Sequence, residues 1–425
     1  MNIEKLTNES RFIQRTRKIS AISLLESVLF CSNDPSKASL NDMALYHHIH
    51  YGIKLTRQAI ANRFNPQATK FVKLFLSELL QARLTKGLVT FSSTNFNRII
   101  IKDSTCNQLP ENLKEYYPGS GGAGSKAAVR IQFEYDLKDH EIQELKVCSF
   151  NQQDIRDAKE TLSDIQENDL VIRDLGYICL ETLQGIEKQK AWYISRLNPS
   201  TSVVDAETME PIDFAKLESH MIKNEIDILE KTVFISDTTY ATRLVIEIVP
   251  NKIKEERLRK ASYESKRKGR MLSREKKARL GLNLFVTNCS PSRLSAFELR
   301  RIYGIRWQIE LIFKAWKQNS QFHKVKKMNI ERYEFLLYAK LIWVVLGWKV
   351  YQVLDNIIYQ KSRQRISLLK LYKTFRQLNE QVRNVVRGEK TKMEELMKHL
   401  ISMSNPHLIH DDRKNRINWR IVETI

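Results

Sequence analysis

The chain has 425 residues, a net charge of +21 and a hydrophobic fraction of 42%. This length allows two or three domains with a sizeable core, and so basic a balance indicates nucleic acid or an anionic surface as partner. The most apolar run, Leu341 to Trp348, is bounded by lysines and falls short of the ~20 residues that a membrane span needs. We therefore expect a buried helix there and no membrane partner.

The N-terminus and the cysteines bear on the cellular compartment. Residues 1–5 lack the apolar segment of a secretory signal peptide. The five cysteines are scattered without metal-ligand spacing, which indicates reduced thiols. We expect a cytoplasmic protein.

Residues 1–90 have helical patterns and few glycines. Within them, Thr56 to Phe64 has the pattern of the recognition helix of a helix-turn-helix. It offers Arg57, Gln58 and Arg63 to phosphates and base edges. We predict a helical DNA-binding domain at residues 1–90; a plain helical hairpin is the alternative.

Two histidines of the same segment, His47 and His50, would face one way on a helix. No carboxylate or cysteine joins them in sequence. We interpret them as an interfacial or solvated cluster, and a metal site is the weaker alternative.

Two short apolar strands are each followed by an aspartate. Ile99–Ile101 leads into Asp103, and Leu170–Ile172 leads into Asp174. An acid at the end of an apolar strand often only caps a turn, which is the alternative for either residue alone.

The segment between these two strands alternates in character. Residues 129–137 and 142–150 alternate apolar and polar positions, as a half-buried antiparallel pair does. Residues 154–165 are amphipathic and helical. The order strand, strand, strand, helix, strand suits an α/β protein with a ribonuclease-H-like mixed sheet and helices on its faces.

Residues 198–283 contain strand candidates and a concentrated positive charge. From Lys252 to Arg279 there are 13 Lys and Arg residues against 4 Glu, a net +9 out of the chain's +21. We predict a track for the phosphate backbone, and a mobile, solvated linker is the alternative. The densest cations of this track are Lys266, Arg267, Lys268 and Arg270.

The segment Tyr303–Lys317 is the most informative of the chain. Ser295 and Glu298 form a capping box that begins the helical region before it. If Tyr303–Lys317 is a helix with ~100° per residue, its Tyr, Arg, Glu and Lys side chains lie on one arc of about 60°, which is separate from an apolar stripe. Two i,i+4 pairs, Arg306–Glu310 and Glu310–Lys314, offer the alternative of an ordinary solvated face.

The spacing Tyr-x2-Arg-x3-Glu-x6-Lys, with Trp after the Arg, is complete at Tyr303, Arg306, Trp307, Glu310 and Lys317. It resembles the signature of bacterial insertion-sequence transposases with a DDE active site. Asp103-Ser104-Thr105 resembles the first-acid motif of that family, and Asp174-x-Gly-Tyr resembles the second. One departure is Gly304, which costs about 1 kcal/mol inside a helix and indicates a helix break or a close approach to DNA.

The resemblance implies the domain organisation. We expect a ribonuclease-H-like catalytic core at residues 91–197 and 284–330, interrupted by a β-rich basic insertion at 198–283. A helical region at 331–425 follows.

The resemblance also implies the activity. We expect a DNA transposase that binds terminal inverted repeats, cleaves at the transposon ends and joins 3′-hydroxyl ends to target DNA. Asp103, Asp174 and Glu310 are the expected catalytic acids and ligands of Mg²⁺, or of Mn²⁺ in its place. Two such ions about 3.5–4 Å apart clamp the attacking and leaving oxygens. The acids are 71 and 136 residues apart in sequence, so only the fold can assemble them.

The expected partners follow from the same resemblance. Tyr303, Arg306, Lys314 and Lys317 are expected to contact DNA near the cleaved end, and Trp307 to stack on a distorted base. We expect double-stranded DNA as partner, a homodimer in a synaptic complex, and a nucleoid-associated protein in the bacterial cytoplasm. The alternatives are a ribonuclease-H-type nuclease without strand transfer and a non-catalytic DNA-binding regulator.

Overall fold

The computed structural model describes most of the chain. The described residues are 2–12, 18–32, 38–82, 95–121, 124–198, 200–235, 238–387 and 390–410. The predicted boundary near residue 90, between the N-terminal domain and the core, lies outside them.

Nine strands form one mixed sheet. They are β1 (Ile99–Gln108), β2 (Ala128–Asp136), β3 (Ile142–Ser149), β4 (Leu170–Arg173), β5 (Trp192–Arg196), β6 (Val203–Asp205), β7 (Ile228–Ile235), β8 (Ala241–Ile248) and β9 (Leu282–Thr287). The strand order is β3-β2-β1-β4-β5-β9-β8-β7-β6. The pairs β1–β4 and β4–β5 are parallel, and the other pairs are antiparallel. The predicted α/β class with a mixed sheet is confirmed.

The sixteen described α-helices cover the sheet and extend from it. They are α1 (Ile3–Ser10), α2 (Ala21–Phe30), α3 (Leu40–Tyr51), α4 (Arg57–Ala61), α5 (Pro66–Gln81), α6 (Asp154–Glu160), α7 (Leu180–Lys188), α8 (Phe214–Lys223), α9 (Asn251–Arg267), α10 (Arg274–Leu280), α11 (Ala296–Ile305), α12 (Trp307–Ser320), α13 (Ile330–Ser362), α14 (Leu368–Gln377), α15 (Asn379–Val386) and α16 (Lys390–Ser402). The predicted capping box begins α11, since the Glu298 carboxylate accepts from the Ser295 backbone N–H at 2.9 Å.

The parallel strands β1 and β4 each begin with three β-branched or apolar residues, and these residues are buried. Ile101 of β1 lies opposite Ile172 of β4, and both are buried. A parallel strand buried on both faces takes such a continuous apolar run.

An aromatic cluster joins the sheet to the helices above it. The ring of Phe133 in β2 lies 4.6 Å from Trp316 of α12 and 5.6 Å from Trp348 of α13. Aromatic pairs in this edge-to-face geometry contribute about 0.5–1.5 kcal/mol beyond the area they bury. The cluster therefore fixes α12 against the strands that carry the candidate site.

The run Leu341–Trp348 lies inside α13, as predicted, and both end residues are buried. This helix, 33 residues long, is long and apolar enough to cross a membrane by length and composition. Within the protein, however, 83% of its most apolar window is buried. The helix packs along α5, where the Lys73 ammonium lies 2.7 Å from the Glu334 carboxylate. The predicted N-terminal and C-terminal helical parts thus contact each other.

The segment predicted as a β-rich insertion extends the core sheet. Its strands β6, β7 and β8 join the sheet through pairing of β8 with β9. The helices α8, α9 and α10 also lie in this segment. The sequence of α9 is rich in Lys, Arg and Glu and has one β-branched residue, Ile253, which favours a helix. The strand that returns to the core begins at Leu282, two residues before the predicted boundary at 284.

Candidate active site

The two aspartates lie side by side because β1 and β4 are parallel and in register. The last recorded pair of these strands is Lys102 with Arg173. Asp103 and Asp174 follow it directly on the two chains. The prediction that Asp103 lies at the end of its strand is wrong, because β1 continues to Gln108 by pairing with β2.

Alternation along the strands separates the acids from the basic residues that precede them. Successive side chains of a strand point to opposite faces. Lys102 and Arg173 therefore point away from the acids, and both are buried. Glu134 lies beneath them, 3.0 Å from an Nη of Arg173 and 3.7 Å from the Lys102 ammonium.

The third acid comes from α12, which packs over β1. The predicted helix Tyr303–Lys317 is two helices, because the regular hydrogen bonding is interrupted at Arg306 between α11 and α12. Arg306 keeps helical backbone angles (φ −48°, ψ −34°). The side chains of Arg306 and Glu310 consequently still face one way, as the helix geometry predicts.

The guanidinium of Arg306 contacts all three acids. Its Nη1 donates to Asp103 Oδ2 at 3.0 Å, and its Nη2 donates to Glu310 Oε1 at 3.1 Å. Its Nε lies 3.9 Å from Asp174 Oδ1. Three carboxylates that are far apart in sequence thus converge on one cation.

Burial is the largest cause of the pKa shifts of Asp103 and Lys317. Burial raises the pKa of the Asp103 carboxyl to about 6, although the Ser104 backbone N–H and Arg306 act to lower it. That N–H donates to Asp103 Oδ1 at 2.7 Å. Burial likewise lowers the pKa of the Lys317 ammonium.

An open cleft of about 540 Å³ lies beside the acids. Its lining residues are Asp103, Ser104, Thr105, Glu310, Phe313, Lys314, Lys317, Gln318 and His323. Lys314 and Lys317 were predicted from the sequence. His323 and Gln318 were not, because they belong to no motif spacing and their place in the cleft depends on the fold.

Tyr303 and Trp307 differ in accessibility. Tyr303 is 9% exposed, its ring lies 5.1 Å from that of Phe285, and its hydroxyl is buried. Its predicted phosphate contact stays a prediction. Trp307 is 53% exposed. Gly304 lies within α11 two residues before the interruption, with open space around the position of a Cβ.

The predicted N-terminal contact residues lie on and after the short helix α4. Thr56 caps it, since its Oγ1 accepts from the Ala59 backbone N–H at 3.1 Å. The helix ends at Ala61, earlier than the predicted Phe64. Arg57 and Gln58 are exposed and Arg63 is partly buried.

The two histidines lie apart from the acids. His47 is buried, and Nδ1 of His50 lies 2.8 Å from Nη1 of Arg383 in α15. Among the described residues, no group of three His, Cys, Asp or Glu side chains is placed to hold a metal ion. At the three acids, the guanidinium of Arg306 fills the space between the carboxylates.

The predicted phosphate track is structured. Lys266 and Arg267 end α9, a helix in which no residue is buried. Lys268 and Arg270 follow and are exposed. Most of the segment from Lys252 to Arg279 lies in the helices α9 and α10.

Comparison with known proteins identifies the class. Residues 94–346 match the family described as transposase DDE domain. The transposase for insertion sequence element IS231E of Bacillus thuringiensis subsp. finitimus is 31% identical over 382 residues, covering 86% of this chain and 80% of that protein. The transposase for IS231B of Bacillus thuringiensis subsp. berliner is 29% identical with the same coverage. The transposase for IS1151 of Clostridium perfringens is 28% identical, covering 87% and 82%.

A solved structure of the piggyBac transposase in a synaptic complex with hairpin DNA also matches. It has a TM-score of 0.46 and 10% identity, and covers 95% of this chain and 82% of that chain.

The matched family and the relatives define an enzyme that acts on DNA. The chain belongs to the DDE transposase family, and the family segment contains all three acids. The resemblance to bacterial insertion-sequence transposases is thereby confirmed. Dependence on a divalent metal is general to enzymes with this domain.

Proposed function

We propose that this transposase binds terminal inverted repeats, cleaves at the transposon ends and joins the 3′-hydroxyl ends to target DNA, with Asp103, Asp174 and Glu310 as catalytic acids. The observation that carries the proposal is their convergence on the guanidinium of Arg306. Acids that only capped turns would have no reason to meet at one point.

The strand order supports a ribonuclease-H-like core. Five strands run β3-β2-β1-β4-β5, with β4 and β5 parallel to β1 and β2 antiparallel to it. The first acid lies on β1, the second follows β4, and the third lies on a helix that packs over β1. We assign residues 91–197 and the segment from β9 to residue 330 to this core. We also propose residues 1–90 as the DNA-binding part, 198–283 as an insertion into the core and 331–425 as a helical C-terminal region.

The donor set fits a hard divalent cation. Carboxylate oxygens are the ligands that Mg²⁺ prefers, and Mg²⁺ needs only one or two of them with water and substrate phosphate. Asp103, Asp174 and Glu310 would hold it. When bound, such ions neutralise charge on the phosphate and lower the pKa of the attacking hydroxyl or water.

The chain's own cations would position the strand. Lys314 and Lys317 line the cleft beside two of the acids and can bind phosphate oxygens there. Arg306 has a planar fork suited to a phosphate once it is free of the acids. The centre of the Tyr303 ring lies 5.9 Å from the guanidinium carbon of Arg306. Holding the scissile phosphate in line supplies much of the rate in such reactions.

A strand-transfer assay tests the proposal. Labelled transposon-end DNA, a target plasmid and Mg²⁺ are incubated with the full-length protein. We expect labelled ends joined to plasmid. Nicked ends without joined products would favour the ribonuclease-H-type nuclease, and binding without nicking would favour the non-catalytic regulator. Two protein chains in the complex with transposon-end DNA would support the proposed homodimer.

Metal-dependent cleavage is expected to fall as the pH drops through about 6. Burial raises the pKa of Asp103 to about 6, and a protonated carboxyl cannot bind the cation. The loss should shrink at higher Mg²⁺ concentration, because the metal displaces the proton. Initial cleavage rates at limiting and saturating Mg²⁺ measure both effects. A flat profile at limiting Mg²⁺ contradicts the assignment of Asp103 as a ligand.

The substitution Arg57→Ala is expected to weaken binding to terminal repeats by about 1–3 kcal/mol and to reduce the preference over random DNA. Arg57 is exposed on α4, the proposed recognition helix. Fluorescence anisotropy with both DNAs measures the effect, and Lys5→Ala, which removes an exposed cation of α1, is the matched control. Equal weakening by the two variants would remove α4 from sequence recognition.

Replacing Lys266, Arg267, Lys268 and Arg270 by Gln is expected to weaken binding to every DNA sequence alike. Each lost phosphate contact lowers the slope of log K against log salt by about 0.9. Binding isotherms at several salt concentrations measure this slope. An unchanged slope would show that the segment does not contact the phosphate backbone.

A further inference from the structure

Every nitrogen of the Arg306 guanidinium faces a different acid. Nη1 lies 3.0 Å from Asp103, Nη2 lies 3.1 Å from Glu310, and Nε lies 3.9 Å from Asp174. An arginine that only bound DNA would have guanidinium nitrogens free of other partners in the absence of DNA. In Arg306 all three nitrogens face acids of the protein itself, and the side chain is only 15% exposed.

The position of Arg306 reduces the electrostatic repulsion among the three acids. Three carboxylates that face one another repel, which makes their close approach costly without a cation. In the described part of the chain, Arg306 is the one cation that contacts all three. Lys314 lines the same cleft, but no ion pair joins it to these acids in the described residues. The guanidinium thus supplies the charge that lets the acids meet.

The same position is where a divalent cation would lie. A cation bound by oxygens of these three acids and the guanidinium that now bridges them cannot share that space. In this structure the carboxylates of the three acids lie against the guanidinium of Arg306, at 3.0, 3.9 and 3.1 Å. Binding of the metal therefore requires the arginine to leave.

The local fold allows this movement. The helical hydrogen bonding is interrupted at Arg306, so the side chain stems from the junction of α11 and α12. The cleft beside it offers a destination near Lys314 and Lys317. A phosphate in that cleft would take the fork that the acids release.

We propose that Arg306 is a positioning residue: it holds Asp103, Asp174 and Glu310 together before the metal binds, competes with the metal for them, and exchanges them for a DNA phosphate when the metal arrives. The inference rests on the proposed role of these acids as metal ligands. It assigns Arg306 an action at the acids, in addition to its proposed contact with DNA.

Calorimetric titration of the full-length protein with Ca²⁺, without DNA, tests this exchange. The variant Arg306→Gln removes the competing charge, and we expect it to bind Ca²⁺ about tenfold more tightly or better. Arg306→Lys keeps the charge but cannot contact three acids at once, so its affinity should fall between the other two. Lys314→Gln is the matched control, and we expect a change below about threefold, because its charge is not in contact with the acids.

The outcomes separate this inference from the proposed function. If the wild type binds Ca²⁺ and Asp103→Asn does not, the acids hold the metal. If Arg306→Gln then binds no more tightly than the wild type, the competition by Arg306 is refuted while the proposed function stands. If wild type and Arg306→Gln both fail to bind Ca²⁺ and Mg²⁺, the metal role of the acids fails as well. Circular dichroism checks that each variant is folded. If Arg306→Gln is unfolded, the Ca²⁺ affinity of Arg306→Lys is compared with that of the wild type instead, and an unchanged affinity refutes the competition.

Discussion

Replacing any one of Asp103, Asp174 and Glu310 by its amide is expected to reduce metal-dependent cleavage of end DNA on the order of a thousandfold or more. Each substitution removes one oxygen donor and one negative charge from the point where the three acids meet. Binding of end DNA should remain or tighten slightly, because the loss of a negative charge favours the phosphate backbone.

Single-turnover cleavage and anisotropy on the same end DNA measure the two effects. Glu167→Gln is the control, since Glu167 is an exposed carboxylate whose one recorded ion pair, with Lys190, is also exposed. It should cleave as the wild type does. Wild-type cleavage by any of the three amide variants would remove that residue from the catalytic assignment.

The substitution Lys102→Met is expected to destabilise the protein by about 3–5 kcal/mol. The Lys102 ammonium is fully buried and lies 2.5 Å from Glu144 and 2.6 Å from Asp157. It also lies 3.7 Å from Glu134. Without the cation, these carboxylates remain buried with part of their charge uncompensated. The effect is large because the low dielectric of the interior penalises an unpaired charge.

Urea unfolding followed by tryptophan fluorescence measures the loss as a lower midpoint. Lys126→Met is the control, because the Lys126–Glu111 pair is exposed on both sides and such pairs contribute ~0–1 kcal/mol. Equal midpoints for the two variants would show that the buried cluster does not stabilise the fold.

The sequence by itself determined the local elements and the chemical types of the site. The β-branched runs before Asp103 and Asp174 gave β1 and β4, because such residues favour strands wherever they can be enclosed. The helical spacing of Arg306 and Glu310 gave a pair on one face, now seen at 3.1 Å. These features depend on neighbours within a few residues, so periodicity suffices to predict them.

Helix limits were less predictable. The interruption at Arg306 came two residues after Gly304, the residue that signalled it, and α4 ended three residues early. Terminal turns depend on the packing of the ends as well as on propensity, so sequence patterns place them only within a few residues.

Only the tertiary structure decided how distant segments meet. The register Lys102–Arg173 brings two aspartates together across 71 residues, and α12 adds the third acid from 136 residues further on. Long-range packing also buried the Tyr303 hydroxyl, added the insertion strands to the core sheet and set α5 along α13. Such contacts are selected by the burial and pairing of whole elements, which no local spacing encodes. The three acids were therefore predictable from the sequence, whereas their contact with one arginine depends on the packing of the sheet and α12.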